Sequence, residues 1–494
     1  MVIRIGAVNQ VILLVIDDLR SDHLKTLLAE GKLPNIQKYL GGGITSEHNI
    51  AGYPAITFPA QSTMLTGMYP DSYQFPGGHW VKRDEQIIRN YNSLKEFDTA
   101  NKELGSEVKT IFELVPGKSA GLSLGLSRGA SYVYPTKNQI IFLYIWYMVL
   151  LRKKLLYLNT LITNKMLKFL NKKDPPQLTV CWFLTTDNAL HNYGADSNEY
   201  LHSIQDIDAK IGELINGNKK WKGLKQLGYF DDTALILTSD HGNYAAKKWI
   251  DIAPFFEQIG LRPLIPTKSE GNFDATMGSL CFFTLRGNSW LERPSIAQMQ
   301  TYGPQRVNLF ETLMQIPGAR YLYYREDGNT FNKGIIHVLK KEGAQANSAT
   351  IEYHNDRTKL ENDIYGYSAD QKAAEMLDGK FHSIDEWLAH THQVDFPIIV
   401  DQVCRLFRNP NSCDIMLSTC GETIFNYEHG ITKNGHIHGH DIGLKRAMTV
   451  PLLISGPQIP EKRILYSKST DLVPTILKLL GLPIPSSIIG TSLI

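Results

Sequence analysis

Residues 11–18 read VILLVIDD, an apolar run of six residues that ends in two aspartates. A short apolar run without polar interruption is typical of a β-strand buried on both faces. Two later runs, 180–184 and 234–238, have the same character. Helical spacing of apolar residues between the runs, as at 198–215, indicates strands that alternate with helices. We therefore expect an α/β fold with a mostly parallel central sheet sandwiched by helices.

The composition limits the classes of protein to which the chain can belong. The chain has 494 residues, 43% hydrophobic and 20% charged, which indicates a globular protein too long for one ordinary core. The formal net charge of +2 does not specifically indicate a nucleic-acid partner. Five scattered cysteines predict neither a disulfide framework nor a thiolate zinc site, and fit reduced, intracellular thiols.

Two stretches interrupt the alternation of strands and helices. Residues 85–175 predict a helical cap-like segment, and residues 256–399 predict an inserted α+β subdomain. Residues 414–418 are expected to resume the central sheet. The catalytic core would then be discontinuous, comprising 1–255 and 400–494.

One segment raises the question of membrane contact. Residues 140–151 are apolar and aromatic-rich, and three basic residues follow at 152–154. Twelve residues are about half of the ~20 that a spanning helix needs. A buried or cap helix, a peripheral membrane contact through 140–154 and a true span all stay open. Because no secretory pattern precedes the first strand, we expect a cytoplasmic protein that is soluble or membrane-associated.

Acidic residues follow three of the predicted strands. Asp17, Asp187 and Asp240 each come after an apolar run. Ligands of open α/β sheets bind beyond the carboxyl ends of the strands, so parallel strands would bring these carboxylates to one edge. Taken singly, each aspartate could instead cap the following helix.

Histidines accompany the aspartates. His191 lies four residues after Asp187, so both would face one side of a helical turn and hold one metal ion, or simply hydrogen-bond to each other. His241 follows Asp240 directly. Residues 435–441 carry histidines at alternate positions, 436, 438 and 440, of which one would be a ligand unless the segment is a solvated loop.

A hydroxyl completes the set. Thr57 precedes a predicted helix start at Pro59, where backbone N–H groups favour negative charge. A metal-bound hydroxyl loses its proton more readily and becomes a nucleophile, whereas a lone Thr in this context would be a turn or cap residue. Three aspartates, three histidines and one hydroxyl are the inventory of a two-metal hydrolytic site.

These motifs resemble the alkaline phosphatase superfamily, and within it the type I phosphodiesterase/nucleotide pyrophosphatase branch. The resemblance covers about 10–80, 178–255 and 412–494, and neither 85–175 nor 256–400 in any specific way. The motifs that carry it are VILLVID at 11–17, TFP at 57–59, LTGMYP at 65–70, Asp187 with His191, TSDHG at 238–242 and His438-Gly439.

The resemblance implies two divalent metal ions, zinc in the first place, with manganese or iron as alternatives. Thr57 would attack the phosphorus of a small-molecule phosphodiester or pyrophosphate, and water would hydrolyse the phospho-threonine. His438 is preferred as a ligand because glycine follows it as in the family, which leaves His79 and His440 as candidate substrate contacts. The implied ligands are Asp187, His191 and His438 for one ion, and Asp17, Asp240, His241 and Thr57 for the other.

Two departures from the family keep other functions open. Gly78 stands where the family has an asparagine that contacts a phosphate oxygen, and Asp18 stands where glycine is usual. A sulfatase is not favoured, because no Cys or Ser followed by x-Pro-x-Arg occurs at the nucleophile. The alternatives are a phosphomonoesterase, phosphonate hydrolase or phosphoryl transferase of the same superfamily, and a catalytically silent metal-binding scaffold.

Overall fold

The computed structural model describes residues 7–73, 75–93, 96–136, 139, 154–343, 345–427 and 434–494. Its strands are β1 Gln10–Ile16, β2 Ile44–Ile50, β3 His79–Lys82, β4 Ile87–Asn90, β5 Ser119–Leu122, β6 Tyr132–Tyr134, β7 Leu178–Phe183, β8 Thr233–Thr238, β9 Tyr244–Asp251, β10 Phe273–Thr276, β11 Leu280–Leu285, β12 Tyr321–Arg325, β13 Lys333–Glu342, β14 Gln345–His354, β15 Arg357–Glu361, β16 His382–Ser383, β17 Ile415–Ser418, β18 Thr423–Asn426, β19 Asn434–Gly439, β20 Thr449–Ser455 and β21 Lys462–Lys468.

The helices in the same residues are α1 Ser21–Ala29, α2 Pro34–Leu40, α3 Thr57–Thr66, α4 Pro70–Tyr73, α5 Phe97–Glu103, α6 Ile111–Leu114, α7 Tyr157–Leu170, α8 Thr185–Tyr193, α9 Asn198–Asn216, α10 Leu224–Leu227, α11 Ala253–Gln258, α12 Ile296–Met299, α13 Leu309–Gln315, α14 Gln371–Ala374, α15 Ile384–Thr391, α16 Ile399–Arg408, α17 Lys445–Met448 and α18 Leu472–Leu479.

A mixed, mostly parallel sheet forms the centre of the molecule. Its strand order within the described residues is β21-β2-β20-β8-β1-β7-β5-β6. The run from β8 to β6 is parallel throughout, and β20 is antiparallel to both of its neighbours. Parallel strands need crossover helices, which cover the sheet on both faces. The predicted α/β class is confirmed.

Strand β1 shows why an unbroken apolar run was required. Val11, Leu13 and Val15 pack into one hydrophobic cluster, and the alternate residues Ile12, Leu14 and Ile16 pack into another. All six are at most 1% exposed. Since successive strand residues point to opposite faces, both faces of the strand are core.

A second sheet is antiparallel throughout its described strands and has the order β10-β11-β17-β12-β13-β14-β15-β16. Strand β17 pairs with β11 and β12, so the expectation that 414–418 resumes the central sheet is wrong. A short, mostly apolar stretch such as Ile415–Ser418 predicts a strand, but it does not indicate which sheet the strand joins. The division into a discontinuous core and an insert at 256–399 stays a prediction.

The stretch 85–175 contains more than helices. Strands β5 and β6 extend the central sheet beyond β7, which the helical interpretation of this stretch missed. Both are only three or four residues long and lack a clear period, so composition did not reveal them. The apolar segment 140–151 lies outside the described residues. In the described part of the chain, every helix is too short or too polar to cross a membrane.

A buried network of ion pairs holds helix α16 against helix α4. Arg405 on α16 donates from Nε to Asp401 (2.7 Å) and from Nη1 to Asp71 on α4 (3.2 Å). These three side chains are at most 3% exposed. Because α4 follows the helix that begins at Thr57, the network ties the two parts of the chain together.

Candidate metal and active site

The carboxyl ends of three neighbouring parallel strands form the floor of the candidate site. Strand β1 lies between β8 and β7, with Val15 opposite Thr238 and Ile16 opposite Phe183. Asp17 and Asp240 therefore emerge at the same edge of the sheet. Asp187 lies in the first turn of α8, the helix that leaves β7.

The first ligand group is fully buried and comprises Asp17, Asp240 and His241. Nε2 of His241 lies 3.5 Å from Oδ1 of Asp17. Among the described residues, that Asp17 oxygen is buried and has no hydrogen-bond partner. A buried carboxylate oxygen without a donor is costly, so its arrangement with an imidazole nitrogen fits a bound cation.

The second group comprises Asp187, His191 and His440. His191 Nε2 lies 3.1 Å from Asp187 Oδ1, and His440 Nε2 lies 3.8 Å from the same oxygen. The other nitrogen of His440, Nδ1, lies 2.8 Å from the backbone oxygen of Ala55, which suits a ring that donates there and presents Nε2 to the group.

The prediction of His438 as a ligand does not agree with this geometry. Nε2 of His438 instead accepts from the backbone N–H of Ala195, at 3.4 Å, in the loop after α8. The pairing of β19 with β9 explains the difference. Gly439 lies opposite Tyr244, so the next residue, His440, reaches the stretch that carries His241. The side chain of His436 is outside the described residues.

Asp441 holds this turn in place. Tyr244 donates its hydroxyl to one carboxylate oxygen of Asp441 at 2.6 Å, and the N–H of Leu280 donates to the other at 3.0 Å. The residue after His440 is thus attached to both the three-stranded sheet β18-β9-β19 and the second large sheet.

Thr57 is the first residue of α3, two residues earlier than predicted from Pro59. Its Oγ1 lies 3.1 Å from Nε2 of His241, and its side chain is half-buried. The hydroxyl therefore lies at the border of the first ligand group, beside backbone N–H groups that start a helix.

Burial and neighbouring charges shift the pKa values of the side chains in both groups. Burial raises the pKa of Asp17 well above its ordinary value, and the neighbouring Asp240 adds to the shift. Burial opposes charge on Asp187 too, but His191 outweighs it and lowers the pKa of Asp187 to about 2. The same pairing raises the pKa of His191 to about 9 against burial. A buried carboxylate such as Asp17, whose ionisation neighbouring carboxylates oppose, is characteristic of a site that binds cations.

A cavity of about 380 Å³ opens in front of these groups. Its polar floor includes Thr57, Asp17, Asp187 and His440, and its walls carry Phe58, Tyr91, Phe97 and Trp182. His79, a predicted substrate contact, lines an adjoining recess, where its Nε2 lies 3.0 Å from Asp274. The predicted contact His440 does line the cavity.

Three polar residues of the site were not predicted as site residues. Gln61, one turn after Thr57, donates to Asp240 at 3.0 Å. Asn92 lines both recesses. Asp18 adopts a positive φ of 58° that glycine accepts more readily, and burial raises its pKa to about 7. Only Gln61, four residues after Thr57 on a predicted helix, had a spacing that could have identified it.

A family model described as type I phosphodiesterase / nucleotide pyrophosphatase matches residues 11–302, more than half of the chain. The chain belongs to this family. The match includes Thr57, the strand ends at Asp17 and Asp240, and helix α8 with Asp187 and His191. The branch of the alkaline phosphatase superfamily predicted from the motifs is confirmed.

Curated relatives resemble about half of the chain. The chain is 28% identical over 237 residues to ectonucleotide pyrophosphatase/phosphodiesterase family member 3 of Bos taurus, a match that covers 47% of the chain and 24% of the relative. It is 26% identical over 250 residues to an uncharacterized pyrophosphatase/phosphodiesterase of Schizosaccharomyces pombe, covering 47% and 44%. The matches thus span less than half the length of these relatives.

Among solved structures, murine ectonucleotide pyrophosphatase/phosphodiesterase 5 superimposes on nearly the whole molecule. The TM-score is 0.59 at 14% sequence identity, and the match covers 98% of this chain and 97% of the other. The likeness confirms the alkaline phosphatase-like fold, including the parts outside the family match.

Proposed function

We propose that the chain hydrolyses phosphodiester or pyrophosphate bonds of small molecules, with Thr57 as the nucleophile beside two divalent metal ions. The observation that carries the proposal is the position of the Thr57 hydroxyl, 3.1 Å from His241, at the floor of a cavity that two carboxylate–histidine groups border. Membership of the phosphodiesterase/nucleotide pyrophosphatase family supports the same chemistry.

The donor sets fit two ions. Carboxylate oxygens and imidazole nitrogens suit zinc first, with manganese and iron as alternatives. We assign one ion to Asp187, His191 and His440, replacing His438, and the other to Asp17, Asp240, His241 and Thr57. When bound, the ions would lower the pKa of the hydroxyl and neutralise charge on the phosphoryl group.

Each residue of the site then has its own role in the proposed reaction. Thr57 loses its proton to solvent, and its oxygen forms a bond to phosphorus while the bond to the leaving oxygen breaks and that oxygen takes up a proton from solvent. Water then attacks the phospho-threonine, which releases the phosphate product and restores the hydroxyl. Gln61 keeps Asp240 oriented through its 3.0 Å hydrogen bond. The aromatic walls exclude water and accept the apolar part of the substrate.

The decisive experiment compares esters on metal-quantified protein. The parent should hydrolyse a bis-aryl phosphate faster than the matching mono-aryl phosphate. Thr57→Ala should keep its metal content and lose roughly 10³-fold or more in kcat, whereas Thr57→Ser, which keeps a hydroxyl, should retain part of the activity.

Each contrary outcome has a meaning. Preference for the monoester would identify a phosphomonoesterase of the same superfamily. Metal binding without turnover of either ester would identify a metal-binding scaffold. Full activity of Thr57→Ala would exclude Thr57 as the nucleophile.

A further inference from the structure

The amide of Asn92 lies at the mouth of the catalytic cavity. Asn92 follows β4, and its exposed side chain lines both the cavity of Thr57 and the adjoining recess of His79. It makes no hydrogen bond to another described residue. An exposed amide with free donors on the rim of a polar cavity is available to a ligand.

The hairpin β3–β4 explains why the amide reaches this place. His79 pairs with Asn90, and the N–H of Tyr91 donates to the oxygen of Gly78 at 2.6 Å. The ladder thus continues one residue past the strands, so Asn92 lies beside Gly78 where the hairpin meets the cavity.

Gly78 provides the space for this amide. A Cβ atom built on Gly78 would lie 2.6 Å from Cγ and 2.7 Å from Nδ2 of Asn92, closer than real Cβ contacts allow. Gly78 does not have the positive φ that otherwise favours glycine. A side chain at position 78 would therefore have to displace the exposed amide of Asn92, whose Oδ1 is the atom nearest to the Cβ position.

Apart from the backbone N–H groups at the start of α3, few polar groups of the cavity can donate to a ligand. Asp17 and Asp187 accept but do not donate when ionised. The Nε2 donor of Gln61 already bonds to Asp240. A phosphoryl group attacked by Thr57 carries non-bridging oxygens that need donors on the side away from the ligand groups. The neutral amides of Asn92 and Asn188 both border the cavity. Asn188 already accepts a hydrogen bond from Asn192, whereas the amide of Asn92 makes none to another described residue and can donate there.

We propose that Nδ2 of Asn92 donates a hydrogen bond to a non-bridging oxygen of the phosphoryl group that Thr57 attacks, in the space left by the absent side chain of Gly78. This inference rests on the proposed function. It assigns the phosphate-oxygen contact to a residue of the β3–β4 hairpin, rather than to His79, whose ring is turned to Asp274.

The test uses Asn92→Ala on metal-loaded protein, with Asn90→Ala as the matched control. Asn90 is also an exposed asparagine of the hairpin, but does not line the cavity. Asn92→Ala should lower kcat/KM for a bis-aryl phosphate by about 10²-fold at unchanged metal content, as loss of one oxyanion donor does. Asn92→Asp should be at least as damaging, because a carboxylate repels the phosphoryl oxygens.

Substitutions at position 78 test the same inference independently. Gly78→Ala should reproduce the defect of Asn92→Ala, because the added methyl group displaces the amide. The double variant Gly78→Asn with Asn92→Gly should recover at least tenfold over Asn92→Gly alone, since an amide then projects from position 78. Activity of Asn92→Ala and Gly78→Ala equal to the parent would overturn the inference.

Phosphate binding separates this inference from the proposed function. Calorimetric titration with inorganic phosphate should show about tenfold weaker binding for Asn92→Ala than for Asn90→Ala. If the parent hydrolyses neither ester, the proposed function fails, and equal phosphate affinity in the two variants then also refutes the contact by Asn92.

Discussion

The imidazole ring of His440 stacks on that of His241, with centroids 3.9 Å apart and planes 15° from parallel. The two rings belong to different ligand groups, so the stack links both halves of the proposed two-metal centre. Burial lowers the pKa of His440 well below its ordinary value, and the neighbouring His241 adds to the shift. A neutral imidazole is the form that binds a metal ion.

Replacement of His440 should remove one metal ion. His440→Ala is expected to reduce the metal content from two ions to one per chain, because Asp187 and His191 alone leave half of a tetrahedral coordination sphere open to water. Elemental analysis after gel filtration measures this directly. His438→Ala is the control and should keep both ions. The reverse pattern would restore the family-based assignment of His438.

Gln61 should strengthen the binding of the ion that we assign to Asp17, Asp240, His241 and Thr57, although it is not itself a ligand of that ion. Its amide bonds to Asp240 at 3.0 Å, and loss of such an orienting partner costs about 10- to 100-fold in metal affinity or activity. Gln61→Ala should therefore weaken metal binding in a competition titration with a chelator. Gln305→Ala, an exposed glutamine far along the chain, is expected to behave as the parent. Equal affinity of both variants would contradict the role of Gln61.

Metal uptake should release protons in a pH-dependent way. The pKa of His191 is raised from 6.5 to about 9, so the metal-free protein holds this imidazole protonated at neutral pH. The stabilisation from its pairing with Asp187 is fully present below pH 6.5 and is lost as the pH rises through about 9. Zinc binding must displace that proton.

The measurement is calorimetry in buffers of different ionisation enthalpy. The number of protons released per ion bound should be larger near pH 7 than near pH 10. The metal affinity should increase from pH 7 to pH 10. His241, whose pKa is also raised to about 9 by Asp240 against burial, adds to the release. Release that does not change across this range would show that the imidazoles are already neutral at pH 7.

The ion network around Arg405 should be a stability determinant. Arg405→Met leaves Asp401 buried without its cation and Asp71 paired with Arg408 alone, which costs about 3–5 kcal/mol in the free energy of unfolding. Urea denaturation followed by circular dichroism measures the change. The control is Arg357→Met, which removes a salt bridge to Glu386 with both side chains exposed and should cost at most about 1 kcal/mol. Similar losses in both variants would refute the special role of burial.

The apolar segment 140–151 with its basic neighbours carries a prediction of membrane contact that comes from sequence alone. If the segment faces lipid rather than forming a buried or cap helix, anionic liposomes should bind the parent, and replacement of Arg152, Lys153 and Lys154 by Glu should weaken flotation, since each surface cation contributes about 1 kcal/mol. Failure of the parent to float with liposomes would end this prediction.

The sequence was most informative where one short stretch determines its own structure. Val11–Ile16 must be buried on both faces whatever surrounds it, and Asp17 must follow at its end. The parallel arrangement of β1, β7 and β8 then brings Asp187 and Asp240 to the same edge. Thr57 was identified only together with the aspartates and histidines, because a lone Thr before a helix would be a turn or cap residue.

Other residues depend on pairings between distant parts of the chain. The choice between His438 and His440 is made by the register of β19 on β9, whose residues lie almost two hundred positions apart. The place of Asn92 depends on how the β3–β4 hairpin continues past Gly78. Strand β17 joins the second sheet through β11 and β12, which no property of residues 415–418 themselves could indicate.

The ligands of the site are distributed from Asp17, at the end of the first strand, to His440, near the end of the third-to-last strand. During synthesis on the ribosome, a chain can therefore fold its first strands long before it can close the centre around a cation. In the proposed site, capture of the second ion by His440 would be a late event that requires β9 and β19 to have paired correctly. Metal content would then be a record of completed folding, and shortened chains that end before residue 440 would keep the proposed nucleophile but lack the closed centre.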